Sequence, residues 1–79
     1  MRVSTDPDYL NARAANLATY EAERDLAIRK NEKGEYKEGE FERVRDVQRH
    51  NYTIAMSHAY AEFLQRETRQ AIAAAQAAG

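Results

Sequence analysis

The chain has 79 residues, enough for one small domain but too few to bury a large hydrophobic core. It contains no cysteine, which excludes disulfide bonds and thiolate metal sites as sources of stability. Its formal net charge of -1 offers no bulk attraction for nucleic acid or for an anionic membrane. Association with another protein is therefore the stabilising route that the composition favours most.

The first predicted helix spans residues 7–32. Thr5 or Asp6 can cap its amino terminus, and Pro7 suits the first helical position. Gly34 can end the helix, because glycine readily adopts the left-handed conformation that commonly follows one. We expect one stripe at helical spacing to be buried, formed by Leu10, Ala14, Leu17 and Ile28. Tyr9, Tyr20 and Ala27 flank this stripe on one side.

Residues 33–39 predict a tight turn, because they hold two of the three glycines of the chain. The string KGEYKEGEFERVR at residues 33–45 resembles the turn of SHOCT-type short helical hairpins, in which a glycine turn precedes a Glu-Phe helix start. That resemblance implies the hairpin connection and no particular function. A connection this short predicts two antiparallel helices.

The second predicted helix spans residues 40–78, which contain neither proline nor glycine. One uninterrupted helix there would be roughly 58 Å long at about 1.5 Å per residue. The main alternative is a kink within residues 50–53, where Asn51 could cap a third helix. Without a kink, the alanine-rich residues 67–78 extend about a dozen residues, or roughly 18 Å, beyond the first helix.

These elements predict an all-α fold in a single domain covering residues 1–79. The expected architecture is an antiparallel helical hairpin with a long second helix. Because the first helix is too short to cover the second, we expect the hairpin to complete a helical bundle by association.

Helix 2 carries two apolar faces at helical spacing. The first seam consists of Phe41, Val44, Tyr52, Ala55, Met56, Ala59 and Phe63. The second seam consists of Val47, Ile54, Ala61 and Ile72, with polar Asn51, His58 and Gln65 set between them. Helix 1 can cover one seam only, so the other is available to a partner. The polar residues either fix the register of such a contact or form a partly exposed flank.

The sequence gives no indication of catalysis, of a cofactor or of a metal site. His50 and His58 lie about 12 Å apart along one helix, so they cannot share an ion within one chain. The chain has no cysteine nucleophile and no glycine-rich loop leading from a strand into a helix. A two-helix hairpin also lacks a deep pocket of the usual ligand-binding size. We therefore expect a protein that is not an enzyme.

The function that the pattern favours is a non-enzymatic interaction or assembly module. Its expected partner is a second copy of the chain or a larger protein complex, as for a small accessory subunit, a virion component or a phage-type inhibitor. The aromatic residues are expected anchors, because aromatics are enriched at interface cores. The expected partner-binding residues are Val47, Asn51, Tyr52, Ile54, His58, Tyr60, Ala61, Phe63, Ile72 and Ala75.

The alternative function is a nucleic-acid-binding helical dimer that uses the face from Arg43 to Arg49. Interleaved acidic residues weaken the field of that face, so nucleic acid is the less favoured partner. We expect no membrane association, because the longest nearly apolar run, residues 71–78, is far too short to span a bilayer. Residues 1–7 also lack the apolar segment of a secretory signal, so a cytoplasmic location is expected.

Overall fold

The computed structural model describes residues 2–79 and consists of two long α-helices joined by a short turn. A 3₁₀ turn at Val3–Thr5 precedes helix α1, Pro7–Glu32, and helix α2 covers Glu40–Ala78. Helix α1 packs along α2, which confirms the predicted all-α antiparallel hairpin. The molecule measures 65 × 18 × 12 Å and is a rod about two helices wide.

Asp6 fixes the start of α1 and ties it to α2. Its Oδ2 accepts a hydrogen bond from the backbone N–H of Tyr9 at 2.8 Å, which satisfies an otherwise free amide of the first turn. The same oxygen lies 2.6 Å from Nη2 of Arg66, whose Nε is 3.8 Å from Asp8 Oδ2. The hydrogen bond from Tyr9, together with Arg66, lowers the pKa of Asp6 below its usual 3.8.

Acidification is expected to weaken this attachment. Because the folded-state pKa of Asp6 lies below its unfolded value, the ionised carboxylate stabilises the fold above about pH 4, and this contribution is lost as the pH falls through the lowered pKa. Asp6→Asn keeps a good N-cap but removes the charge. As the pH is lowered below about 4, the thermal unfolding midpoint of the variant, followed by circular dichroism, should therefore fall less than that of the parent. Equal acid sensitivity of the two proteins would contradict this role.

The turn ends α1 and starts α2 through local backbone hydrogen bonds. Glu35 N–H donates to the Lys30 carbonyl at 3.0 Å, and Gly34 N–H donates to the Asn31 carbonyl at 3.1 Å. This pattern is a Schellman motif, and it requires the left-handed φ of +72° that Gly34 adopts. Gly39 is also left-handed, with a φ of +78°, and directs the chain into α2. Glycine thus occupies both positions where a side chain would strain the turn.

The contact between the helices is built mainly from aromatic and small side chains. Tyr20 and Tyr52 pack with ring centroids 5.1 Å apart, and Tyr9 meets Phe63 edge-on at 6.5 Å. Among residues 2–79, the nearly fully buried apolar side chains are those of Ala27, Ala59 and Phe63. The core is therefore a single thin layer along the rod.

The expected buried stripe of α1 is wrong. Ala14 is exposed, and the side chains of Leu17 and Ile28 are 42% and 39% exposed; Leu10 is half-buried. The side chains that face α2 are instead the predicted flank, Tyr9, Tyr20 and Ala27, so α1 is turned by roughly 100° from the expected orientation. Glu21 and Arg24 lie within the expected stripe, so turning that stripe toward α2 would bury two charged side chains. The tyrosine rings bury more apolar area and no charge.

Helix α2 follows the prediction more closely. The seven residues of the first seam are all buried or half-buried. The helix continues without a break through residues 50–53, so the alternative of a third helix capped by Asn51 is wrong. Beyond Arg66, α2 extends past the start of α1, and residues 68–79 are exposed throughout. No helix within residues 2–79 combines the length and the apolar composition that crossing a membrane would need.

Candidate interaction surface

The second seam faces away from α1. The side chains of Val47, Ile54 and Ile72 are 57%, 42% and 53% exposed, although all three are large and apolar. At 100° per residue they lie roughly 140° around α2 from the first seam. Ala61 and Ala75, which share or adjoin this face, are exposed as well. Helix α1 therefore leaves this side of α2 entirely open.

The second seam is also free of formal charge. Its polar members, Asn51, His58 and Gln65, are exposed and include no acidic residue, lysine or arginine, while about a third of the whole chain, 32%, is charged. From Val47 to Ile72 the seam runs roughly 37 Å along the helix, with Arg69 at its edge. Large exposed apolar residues lined up on one side of an otherwise charged rod are typical of an interaction site.

A groove borders the second seam on the side where the two helices meet. Three adjoining depressions form it, and they share lining residues such as Asn16, Asn51 and Ala55. Gln48 crosses its floor, where Nε2 donates to the Glu23 carbonyl at 3.1 Å. The depression nearest the turn holds about 430 Å³ and is lined by Glu23, Glu40, Arg43, Val44, Val47, Gln48 and Asn51.

Two of the expected aromatic anchors are used within the chain. Phe63 is only 5% exposed and packs against Tyr9, and Tyr52 is half-buried against Tyr20. Both rings are therefore engaged in the contact with α1, and their assignment as partner-binding residues stays a prediction. Tyr60 is exposed, with its ring centroid 6.3 Å from that of Phe63, and remains accessible to a partner.

Several surface residues were missed by the sequence pattern. Leu26 and Leu64 are large apolar side chains that are nearly half exposed. Leu64 lies one turn beyond Tyr60, a spacing that could have identified it. The contribution of Glu23 and Gln48 to the groove could not have been identified in that way, because it depends on how α1 and α2 are aligned.

The basic face proposed for nucleic acid is divided in the structure. Arg43 lines the groove beside the second seam, whereas Arg45 and Arg49 line a separate depression on the other side of α2. The Arg45 guanidinium lies 6.0 Å from the centroid of the Phe41 ring. The three arginines therefore do not form one continuous face.

His50 and His58 are both exposed. Within residues 2–79, no group of three or more histidine, cysteine, aspartate or glutamate side chains is arranged to hold a metal ion.

These features define an all-α two-helix protein in which one face of the long helix is covered by its own chain and another is left open. Comparison of the chain with known protein families, with curated proteins and with solved structures finds no match.

Proposed function

We propose that this protein is a non-enzymatic interaction module that assembles with another protein through the second seam and the alanine-rich end of α2. The observation that carries this proposal is the exposure of Val47, Ile54 and Ile72 on one face of α2. Burying apolar area gains about 25 cal/mol per Å², so covering this face would stabilise a complex.

The surface area of the chain supports the same proposal. The protein exposes 6063 Å², whereas a compact folded protein of 9.0 kDa exposes about 4,900 Å². The excess of about 1,200 Å² exceeds the roughly 800 Å² that each partner buries in a standard protein interface. An interface of ordinary size would therefore remove about two thirds of this excess.

The mode of binding follows from the shape of the surface. An exposed helix face that borders a groove suits another helix, since helices pack side by side at 8–10 Å. A small accessory subunit, a virion component or an inhibitor of a larger complex would each bind in this way. The proposed location is the cytoplasm of the producing or host cell. The proposal does not rest on any catalytic group.

The nucleic-acid alternative is less well supported, because Arg43 lies apart from Arg45 and Arg49. The salt dependence of binding distinguishes the two functions. Phosphate-driven binding weakens steeply with added salt, whereas a contact through the second seam should depend little on ionic strength.

Association in solution tests the proposed function. We expect light scattering of the purified full chain, or cross-linking of the tagged chain in the cell that produces it, to show a complex heavier than 9.0 kDa. If the complex is a self-association, dilution should lower its mass, because mass action favours the separate chains.

The contrary result is equally clear. A fully helical monomer at every concentration, with no cross-linked protein partner in the cell, would overturn the proposal. Tight binding of DNA or RNA at low salt by such a monomer would favour the alternative function instead.

A further inference from the structure

Resting on the proposed function, we propose that the occupant of the second seam is a second copy of this chain, packed antiparallel through α2. The two-fold axis would cross the helix pair between His58 and Ala61. The two copies would then form a row of four helices, with α2 of each copy in the middle and α1 on the outside.

The distribution of side-chain size along the seam favours this direction. Its half near the turn carries larger residues, among them Val47, Asn51 and Ile54, and its other half is richer in small ones, such as Ala61 and Ala75. An antiparallel pair sets the large half of each helix against the small half of the other, so the separation between the axes stays even. A parallel pair would set large against large and small against small, forcing the helices to diverge toward the turn.

One register keeps both ends of the seam in contact, although it sets Ile54 against Gln65 near the middle. In that register, apolar Val47 meets apolar Ile72, and polar Asn51 meets polar Thr68. Read as the heptad positions that face a partner helix, the pairs between copies are Val44 with Ala75, Val47 with Ile72, Asn51 with Thr68, Ile54 with Gln65, and His58 with Ala61.

Registers shifted by one heptad are worse. A shift in one direction carries Ile72 beyond the contact between the seams and leaves it exposed. A shift in the other direction brings Glu62 of both copies together beside the two-fold axis, where like charges repel. The chosen register places Glu62 beside Ala55 of the second copy instead.

This arrangement also covers the bare end of each chain. Residues 68–78 of one copy lie beside the groove at the turn end of the other, where about 430 Å³ is open next to Val44 and Val47. The tail is rich in alanine and so fits a narrow space. Arg69 arrives beside Gln48 and Glu23, which supplies opposite charge at the rim. The contact is repeated by symmetry, so the dimer closes and does not grow into a filament.

Disulfide cross-linking gives a direct test, because the chain has no cysteine of its own. In one chain, residues 47 and 72 are about 37 Å apart and cannot be bridged. We expect the double variant Val47→Cys/Ile72→Cys to form a covalent dimer under mild oxidation. An equal mixture of the single variants Val47→Cys and Ile72→Cys should give a mixed covalent dimer. Each single variant alone should give little covalent dimer. Ala18→Cys, exposed on the outer side of α1, controls for random collision.

Three results of these experiments would overturn the proposal. Covalent dimers of the single variants would show parallel packing, and no dimer from the double variant, with helicity preserved by circular dichroism, would exclude this register. A parent chain that is monomeric by light scattering at every concentration would exclude the second copy as occupant. If the chain in that case still forms a complex with a different protein in the cell, the proposed function stands while this inference fails.

Discussion

Replacing Phe63 by alanine is expected to unfold most of the chain at room temperature. Phe63 is the largest of the nearly fully buried apolar side chains within residues 2–79, and the other two are alanines. Truncating a buried phenylalanine costs about 3–5 kcal/mol, and a core of this size rarely supplies more than about 3–5 kcal/mol in total. The substitution therefore removes free energy comparable to the whole stability of the fold. Far-UV circular dichroism at one fixed protein concentration would measure the loss of helicity.

Leu64→Ala is the matched control for this experiment. Leu64 is the next residue on the same helix, and its side chain is nearly half exposed, so its truncation should cost less than about 1 kcal/mol. Denaturant midpoints of the two variants should differ widely. Similar destabilisation by both substitutions would show that Phe63 does not anchor the contact between α1 and α2.

The ends of the helices could be predicted from the sequence, because they are set by local chemistry. Asp6 lies directly before Pro7, and Gly34 follows the last charged turn of α1, so capping and left-handed termination can be recognised from neighbouring residues. The first seam of α2 was also predictable, because its residues repeat at helical spacing with large side chains among them. These features need no knowledge of the partner helix.

The orientation of α1 could not be predicted in the same way. Its apolar residues allow two faces, one with Leu17 and Ile28 and one with Tyr9 and Tyr20. The choice depends on which face of α1 matches the rings of α2, and spacing within α1 carries no information on that match. The attachment of Asp6 to Arg66 has the same origin, because sixty residues separate the two and only the alignment of the helices brings them together.

For the candidate surface, the sequence located the open face but not all of its chemistry. Val47, Ile54 and Ile72 are exposed as expected, since α1 is a single neighbour and covers one seam only. Tyr52 and Phe63 were assigned to a partner because aromatic residues anchor many interfaces, yet the contact within the chain uses them first. In a protein this small, the same large side chains serve the core before they can serve an interface.

Ile54→Asp is expected to abolish the assembly while leaving the hairpin folded. Ile54 lies near the middle of the second seam, and its side chain is 42% exposed in the single chain. An aspartate there would be buried in the complex without a partner charge, at a cost of about 3 kcal/mol or more. That cost corresponds to at least a hundredfold weaker association, at about 1.4 kcal/mol per factor of ten. Light scattering and binding titrations at matched concentrations would measure it.

Ala18→Asp separates this effect from a general effect of added charge. Ala18 is exposed on the side of α1 opposite the contact with α2, and its substitution also places one aspartate on a helix. This variant should associate within a few-fold of the parent, because its charge stays in water and the second seam is intact. If both variants weaken association equally, the effect lies in net charge and the second seam is not the binding face. If neither does, α2 contacts its partner elsewhere, and the exposed residues Tyr60 and Leu64 become the next positions to substitute.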